Sequence, residues 1–87
     1  AEARRLVDSG ARLIDVRTPA EFAQGHIEGA TNLPLQSLDN RMSELGDKSE
    51  DVVVYCRSGV RSASAKRMLE GAGFESVHDL GAMSRWP

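Results

Sequence analysis

The run Val52-Val53-Val54-Tyr55 is the firmest structural statement in the chain. Three β-branched residues and an aromatic in succession read as a strand over residues 51–55. A short polar loop follows, Cys56-Arg57-Ser58-Gly59. Beyond it, Ala65, Met68, Leu69 and Ala72 recur at i, i+3, i+4 and i+7, which predicts a helix over 61–70 closed by Gly71 and Gly73. A strand feeding through a tight loop into a helix is the repeating unit of an α/β fold.

The rest of the chain carries the same alternation. Residues 1–9 read as the end of an amphipathic helix closed by Gly10. Leu13-Ile14-Asp15-Val16 is a short apolar strand. Thr18-Pro19-Ala20-Glu21 has Thr as N-cap, Pro at N1 and Glu at N3, and starts a brief helix ending near Gly25. Ala30-Thr31-Asn32-Leu33 is a second strand, stopped by Pro34. Residues 37–45 read as one helix, with Leu38, Met42 and Leu45 on one face and Gly46 behind it. Residues 76–80 form a last strand, and Gly81-Ala82 a turn. The expectation is one α/β domain over 1–87, with a mostly parallel sheet flanked by helices. In such sheets ligands bind at the carboxyl ends of the strands, which is where Cys56 lies.

The 87 residues suit a single modest core. A net charge of −2 provides no global field for nucleic acid or a membrane surface. No apolar run approaches the ~20 residues that span a bilayer, and no signal peptide is visible. The chain begins with Ala1, so a leader could have been removed. A soluble protein is expected, with the choice between cytoplasm and periplasm open. The single cysteine excludes an internal disulfide.

That cysteine is the candidate reactive group. Amides at a helix start are unpaired donors at the positive end of the macrodipole, and both favour Cys–S⁻ over Cys–SH. Arg57 and Arg61 are expected to push the same way. Gly59 suits a loop whose amides curl inward into an anion-binding nest. From Tyr55 to Met68 there are four basic residues and no acid, which suggests a small anion near Cys56. Lys66 and Arg67 read as a solvated helix face. Arg57, next to the thiol, is the better substrate contact. Arg61 has two readings, pairing with an oxyanion or tying the loop to nearby carboxylates. Asp15, Arg17 and Glu21 form an expected ion network that organises loops. His26 reads as satisfying backbone groups, and His78 has nothing to single it out. One Cys and two scattered His give no metal-ligand spacing, so no metal and no cofactor are expected.

Three stretches together resemble the single-domain rhodaneses, which are thiosulfate sulfurtransferases. They are Leu13-Ile14-Asp15-Val16-Arg17-Thr18-Pro19-Ala20-Glu21-Phe22, then Gly25-His26-Ile27-Glu28-Gly29-Ala30-Thr31-Asn32-Leu33-Pro34, then Val53-Val54-Tyr55-Cys56-Arg57-Ser58-Gly59-Val60-Arg61-Ser62. The tail from Gly73-Phe74 to Trp86 fits the family's closing segment. The resemblance implies a three-layer rhodanese-like α/β domain in which Cys56 becomes a persulfide. Arg57, Ser58, Gly59, Val60 and Arg61 would cradle that persulfide and the substrate, with Asp15 and Arg17 in support. The implied partners are thiosulfate and a thiophilic acceptor, cyanide or a thiol, with a thioredoxin-like or sulfur-relay protein as a further one. The protein is expected to act as a monomer.

Cys56 to Arg61 spans six residues, one fewer than in the related cell-cycle phosphatases, and so suits a sulfur atom rather than a phosphate. Binding modules of the family commonly lack the cysteine. In three places the chain departs from the family. It starts within the first helix, Gly81-Ala82 replaces the usual Gly-Gly, and it stops at Pro87, as either a trimmed or a compact form. A persulfide-relay module, a phosphatase or arsenate reductase, and a non-enzymatic interaction domain are the competing readings.

Overall fold

Strand β3 (Val52–Cys56) is buried along its whole length, and the rest of the fold is arranged to cover it. The computed structural model describes residues 2–86. Four parallel strands form one sheet in the order β2-β1-β3-β4, with β1 at Arg12–Asp15, β2 at Thr31–Asn32 and β4 at Val77–Ala82. The sheet is therefore wholly parallel, and helices cover both of its faces.

Side chains of a strand alternate between faces. Val52, Val54 and Cys56 join Ile14, Val16, Leu33, Leu38, Ala65 and Leu69 in one apolar layer. Val53 and Tyr55 join Leu13, Ile27 and Leu80 in the other, where Ala3, Leu6 and Val7 of α1 (Glu2–Asp8) pack against them. Helix α4 (Val60–Gly71) supplies Ala65 and Leu69 to the first layer. The expected helix over 1–9 is thus present as α1, with Ala1 outside the described residues. The predicted capping box is also present. In α2 (Pro19–Gln24), the Thr18 hydroxyl accepts the Glu21 amide at 3.2 Å and the Thr18 amide donates to Glu21 Oε1 at 3.0 Å.

Two expectations need correction. Residues 37–45 are not one helix. A 3-10 turn (Leu35–Ser37), a single α-turn α3 (Leu38–Arg41) and a second 3-10 turn (Met42–Leu45) follow one another. Ser37, Asp39, Asn40 and Ser43 are weak helix formers. Burial of Leu38 and Leu45 then overrides the regular helical repeat. Gly81-Ala82 is not a free turn either. Both residues lie within β4, paired with Tyr55 and Cys56 past a register shift. Gly81 takes φ +85, so the turn-like backbone is a bulge inside the strand, a conformation that suits glycine.

A polar hub joins the sheet to the loop after α2. Asp15 is fully buried and accepts Arg17 Nε at 3.0 Å, Arg17 Nη2 at 2.7 Å and the Arg17 amide at 2.8 Å. The Tyr55 hydroxyl donates to Asp15 Oδ2 at 2.8 Å and accepts the Ile27 amide at 3.2 Å. Arg17 Nη2 also reaches the Gly25 carbonyl at 2.6 Å. Burial, opposed by the Ile27 amide and aided by Asp15, pushes the Tyr55 phenol up to about 12. Among the described residues no helix is long and apolar enough to cross a membrane.

Removing one member of this hub strands the others away from water. Tyr55→Phe is expected to cost about 1–3 kcal/mol, the penalty for leaving buried polar groups unpaired. Asp15→Asn leaves the buried Arg17 charge uncompensated and is expected to cost more, about 3–5 kcal/mol. Urea unfolding of both variants checks the ordering, and equal, negligible losses would contradict the hub.

Candidate active site

Cys56 is the last residue of β3, and α4 begins four residues later at Val60. Gly59 is the N-cap of α4 at φ +100, and no side chain of its own caps the helix. The cysteine sulfur takes that place. Gly59 N–H donates to Cys56 Sγ at 2.9 Å and Ser62 N–H at 3.4 Å, so amides that helix geometry leaves unpaired converge on sulfur. The thiol in turn donates to Ser62 Oγ at 3.6 Å, and the Ser62 hydroxyl donates to the Gly59 carbonyl at 3.1 Å. A Cβ on Gly59 would lie 3.6 Å from Gly81 Cα, ordinary contact, so the positive φ rather than crowding favours glycine here.

Burial pushes the Cys56 thiol up. The Ser62 hydroxyl and the amides of Ser62, Gly59 and Ser58 outweigh it, and the thiol lies below its ordinary value. Neither guanidinium is among the groups hydrogen-bonded to the sulfur, but Arg61, whose pKa is raised chiefly by its hydrogen bond to Glu21, also interacts through space with the Cys56 charge, in the sense expected of it. Arg57 is exposed and lines an open cleft of ≈ 670 Å³ with Arg17, Gln24, Met83 and Ser84. Arg61 forms a two-pronged pair with Glu21, Nη1 to Oε1 at 2.6 Å and Nη2 to Oε2 at 3.0 Å. Of the two readings of Arg61, the structure shows the tie to a carboxylate.

The predicted Asp15–Arg17–Glu21 network is present through space, with its hydrogen-bonded pairs divided. Asp15 holds Arg17, while Glu21 holds Arg61, because the capping box turns the Glu21 carboxylate back over the start of α2. Cys56 is wholly buried and lies within β3 as its last residue, paired with Ala82, rather than just beyond the strand. Ser58 is exposed in the loop. Val60 opens α4 with its side chain 73% exposed, in contrast to the apolar residues that the helix buries.

Neither histidine lies near the sulfur in the bonding pattern. His26 stacks on Phe22 at 3.7 Å between ring centroids, and its Nδ1 lies 2.9 Å from the Phe22 carbonyl. His78 Nε2 meets both Asp51 Oδ1 at 3.1 Å and Ser76 Oγ at 3.2 Å. One nitrogen facing both partners cannot relay a proton between them, and the group sits at the opposite end of β3 and β4 from Cys56. Among the described residues no group of three or more His, Cys, Asp or Glu could hold a metal ion.

Ser62 and Tyr55 were not singled out from sequence as functional or supporting residues. Ser62 had a readable signal: it stands three residues after the N-cap glycine, the position whose amide meets a capping group. Tyr55 had none, because its role depends on Asp15, 40 residues away.

A family model described as Rhodanese-like domain matches residues 1–86. A protein named Sulfurtransferase from Allochromatium vinosum is 46% identical over 85 residues, covering 95% of this chain and 78% of its own. Thiosulfate sulfurtransferase PspE from Escherichia coli is 38% identical over 71 residues, covering 80% of this chain and 68% of its own. The solved structure of the human single-domain sulfurtransferase TSTD1 matches with a TM-score of 0.86 at 29% identity, covering 98% of this chain and 88% of that one. Together with the thiol seated at the start of α4, these likenesses establish that the chain belongs to the rhodanese-like family of sulfurtransferases.

Proposed function

We propose that the protein moves the outer sulfur of thiosulfate to a thiophilic acceptor through a persulfide on Cys56. The observation that carries this reading is the convergence of helix-start amides and Ser62 on Cys56 Sγ. Such donors favour a thiolate, the nucleophilic form of cysteine. In the first half-reaction the Cys56 thiolate attacks the terminal sulfur of thiosulfate. A new S–S bond forms, the old one breaks, and its electron pair leaves with sulfite. The anionic outer sulfur of Cys56–S–S⁻ then takes its hydrogen bonds from amides of the loop from Arg57 to Arg61. In the second half-reaction cyanide or a thiolate attacks that outer sulfur, and the Cys56 thiolate departs. Arg57, exposed in the cleft, meets the sulfonate end of the donor and stabilises departing sulfite.

A second reading makes the acceptor a thiol on another protein. Val60 favours it, because an exposed apolar side chain beside the loop suits a partner surface better than a small anion. Faster sulfur transfer to a thioredoxin-like protein than to cyanide, lost in Val60→Asp, would select this reading.

Intact mass after thiosulfate should rise by one sulfur and return on adding cyanide. Cys56→Ser should show no adduct and lose about a thousandfold or more in sulfite release. Retained activity in that variant would overturn the reading. Iodoacetamide reaction of Cys56 should accelerate as pH rises, because the thiolate is the reacting form. Its midpoint should fall below the ~8.5 of a free cysteine. A midpoint at or above that value would contradict the capping geometry. Arg57→Ala should raise KM for thiosulfate about tenfold, the size of one lost charge-assisted contact. An unchanged KM would remove Arg57 from substrate binding.

A further inference from the structure

The two arginines of the loop have different surroundings. Arg57 opens onto the cleft, whereas Arg61 borders a smaller recess of ≈ 150 Å³ beside Val16, Pro34 and Leu35. The Glu21 carboxylate, which lines the Arg57 cleft, holds Arg61, and it is itself held firmly. Its Oε1 accepts Arg61 Nη1 at 2.6 Å, the Thr18 amide at 3.0 Å and the Thr18 hydroxyl at 3.1 Å, while Oε2 accepts Arg61 Nη2 at 3.0 Å. Arg61, ahead of the Thr18 amide, holds Glu21 down to about 2, so the pair stays ionised throughout the working range of pH. Among the described residues, the groups hydrogen-bonded to the sulfur are neutral: the Gly59 and Ser62 amides, which donate to it, and the Ser62 hydroxyl, which accepts from the thiol.

These two facts belong together. A tetrahedral dianion such as phosphate is recognised best by a charged fork that gives two parallel hydrogen bonds. A persulfide or thiolate carries one charge on one sulfur, and neutral inward-pointing N–H groups suffice for it. We propose that Glu21 is a specificity-determining positioning residue. By occupying both prongs of the Arg61 fork, it leaves the sulfur's hydrogen bonds to neutral groups and denies a tetrahedral oxyanion the charged fork, although the Arg61 charge still reaches Cys56 through space. Thiosulfate escapes this exclusion because it presents its terminal sulfur, not its oxygens, to Cys56. This last step rests on the proposed sulfur transfer; the exclusion itself does not.

The test uses inorganic phosphate as the probe and needs no sulfur-transfer activity, so a failure of the thiosulfate reading would leave it intact. Phosphate affinity is measured by calorimetry, together with phosphate protection of Cys56 from iodoacetamide. The proteins are the unsubstituted chain, Glu21→Gln, and Glu21→Gln combined with Arg61→Met. Glu21→Gln should bind phosphate about tenfold more tightly and gain protection, as a freed charged fork requires. The double variant should lose that gain. No gain in Glu21→Gln, or a gain that persists without Arg61, would overturn the proposal. Thermal unfolding establishes that each variant is folded. Where Glu21→Gln fails to fold, Glu21→Asp, one methylene short of the fork, takes its place with the same two deciding outcomes.

Discussion

Complete burial of β3 is the constraint on which the other elements depend. A strand with no exposed residue needs a neighbour on each edge and a cover on each face. Strands β1 and β4 supply the edges. Helix α4 and the turns around α3 cover one face, and α1 covers the other. Strand alternation then sends Cys56 toward the α4 layer and Tyr55 toward the α1 layer. The two neighbours do different work for that reason. Tyr55 ties β3 to Asp15 and the Ile27 loop, while Cys56 meets the start of α4.

The electrostatics at the sulfur are local and mostly neutral. Burial opposes charge on Cys56, and a few short-range donors overcome it. Amides at a helix start are well suited to this, because they are unpaired by geometry and need no reorganisation to receive an anion. Formal charges sit one step further out. Arg17 pairs with Asp15 and Arg61 with Glu21, while Arg57 faces the cleft that Arg17 and Glu21 also line. The hydrogen bonds of the sulfur are therefore to dipoles, while the Arg61 charge acts on it through space.

Much of this could be read in the chain before folding, and the exceptions have physical causes. The capping box at Thr18 and Glu21 was legible because it is a local bond between residues three apart. The apolar run before Cys56 and the periodicity after it placed β3 and α4 within a residue or so. Residues 37–45 read as one helix in the sequence because only tertiary burial of Leu38 and Leu45 breaks the repeat. Gly81 was misread as a turn residue because a bulge and a turn ask the same φ of glycine.

The same division holds at the candidate site. Residue types and spacing alone determined that a thiol stands between a strand and a helix, because strand propensity, helical periodicity and the loop glycine are all local properties. Which groups touch that thiol was decided only by tertiary structure. Arg61 could pair with an oxyanion or a carboxylate from any spacing argument, and in the folded chain it pairs with Glu21. Tyr55 meets Asp15 only because β1 and β3 lie side by side in register. Partners so far apart in the chain leave no local pattern, since their meeting depends on how the whole sheet closes.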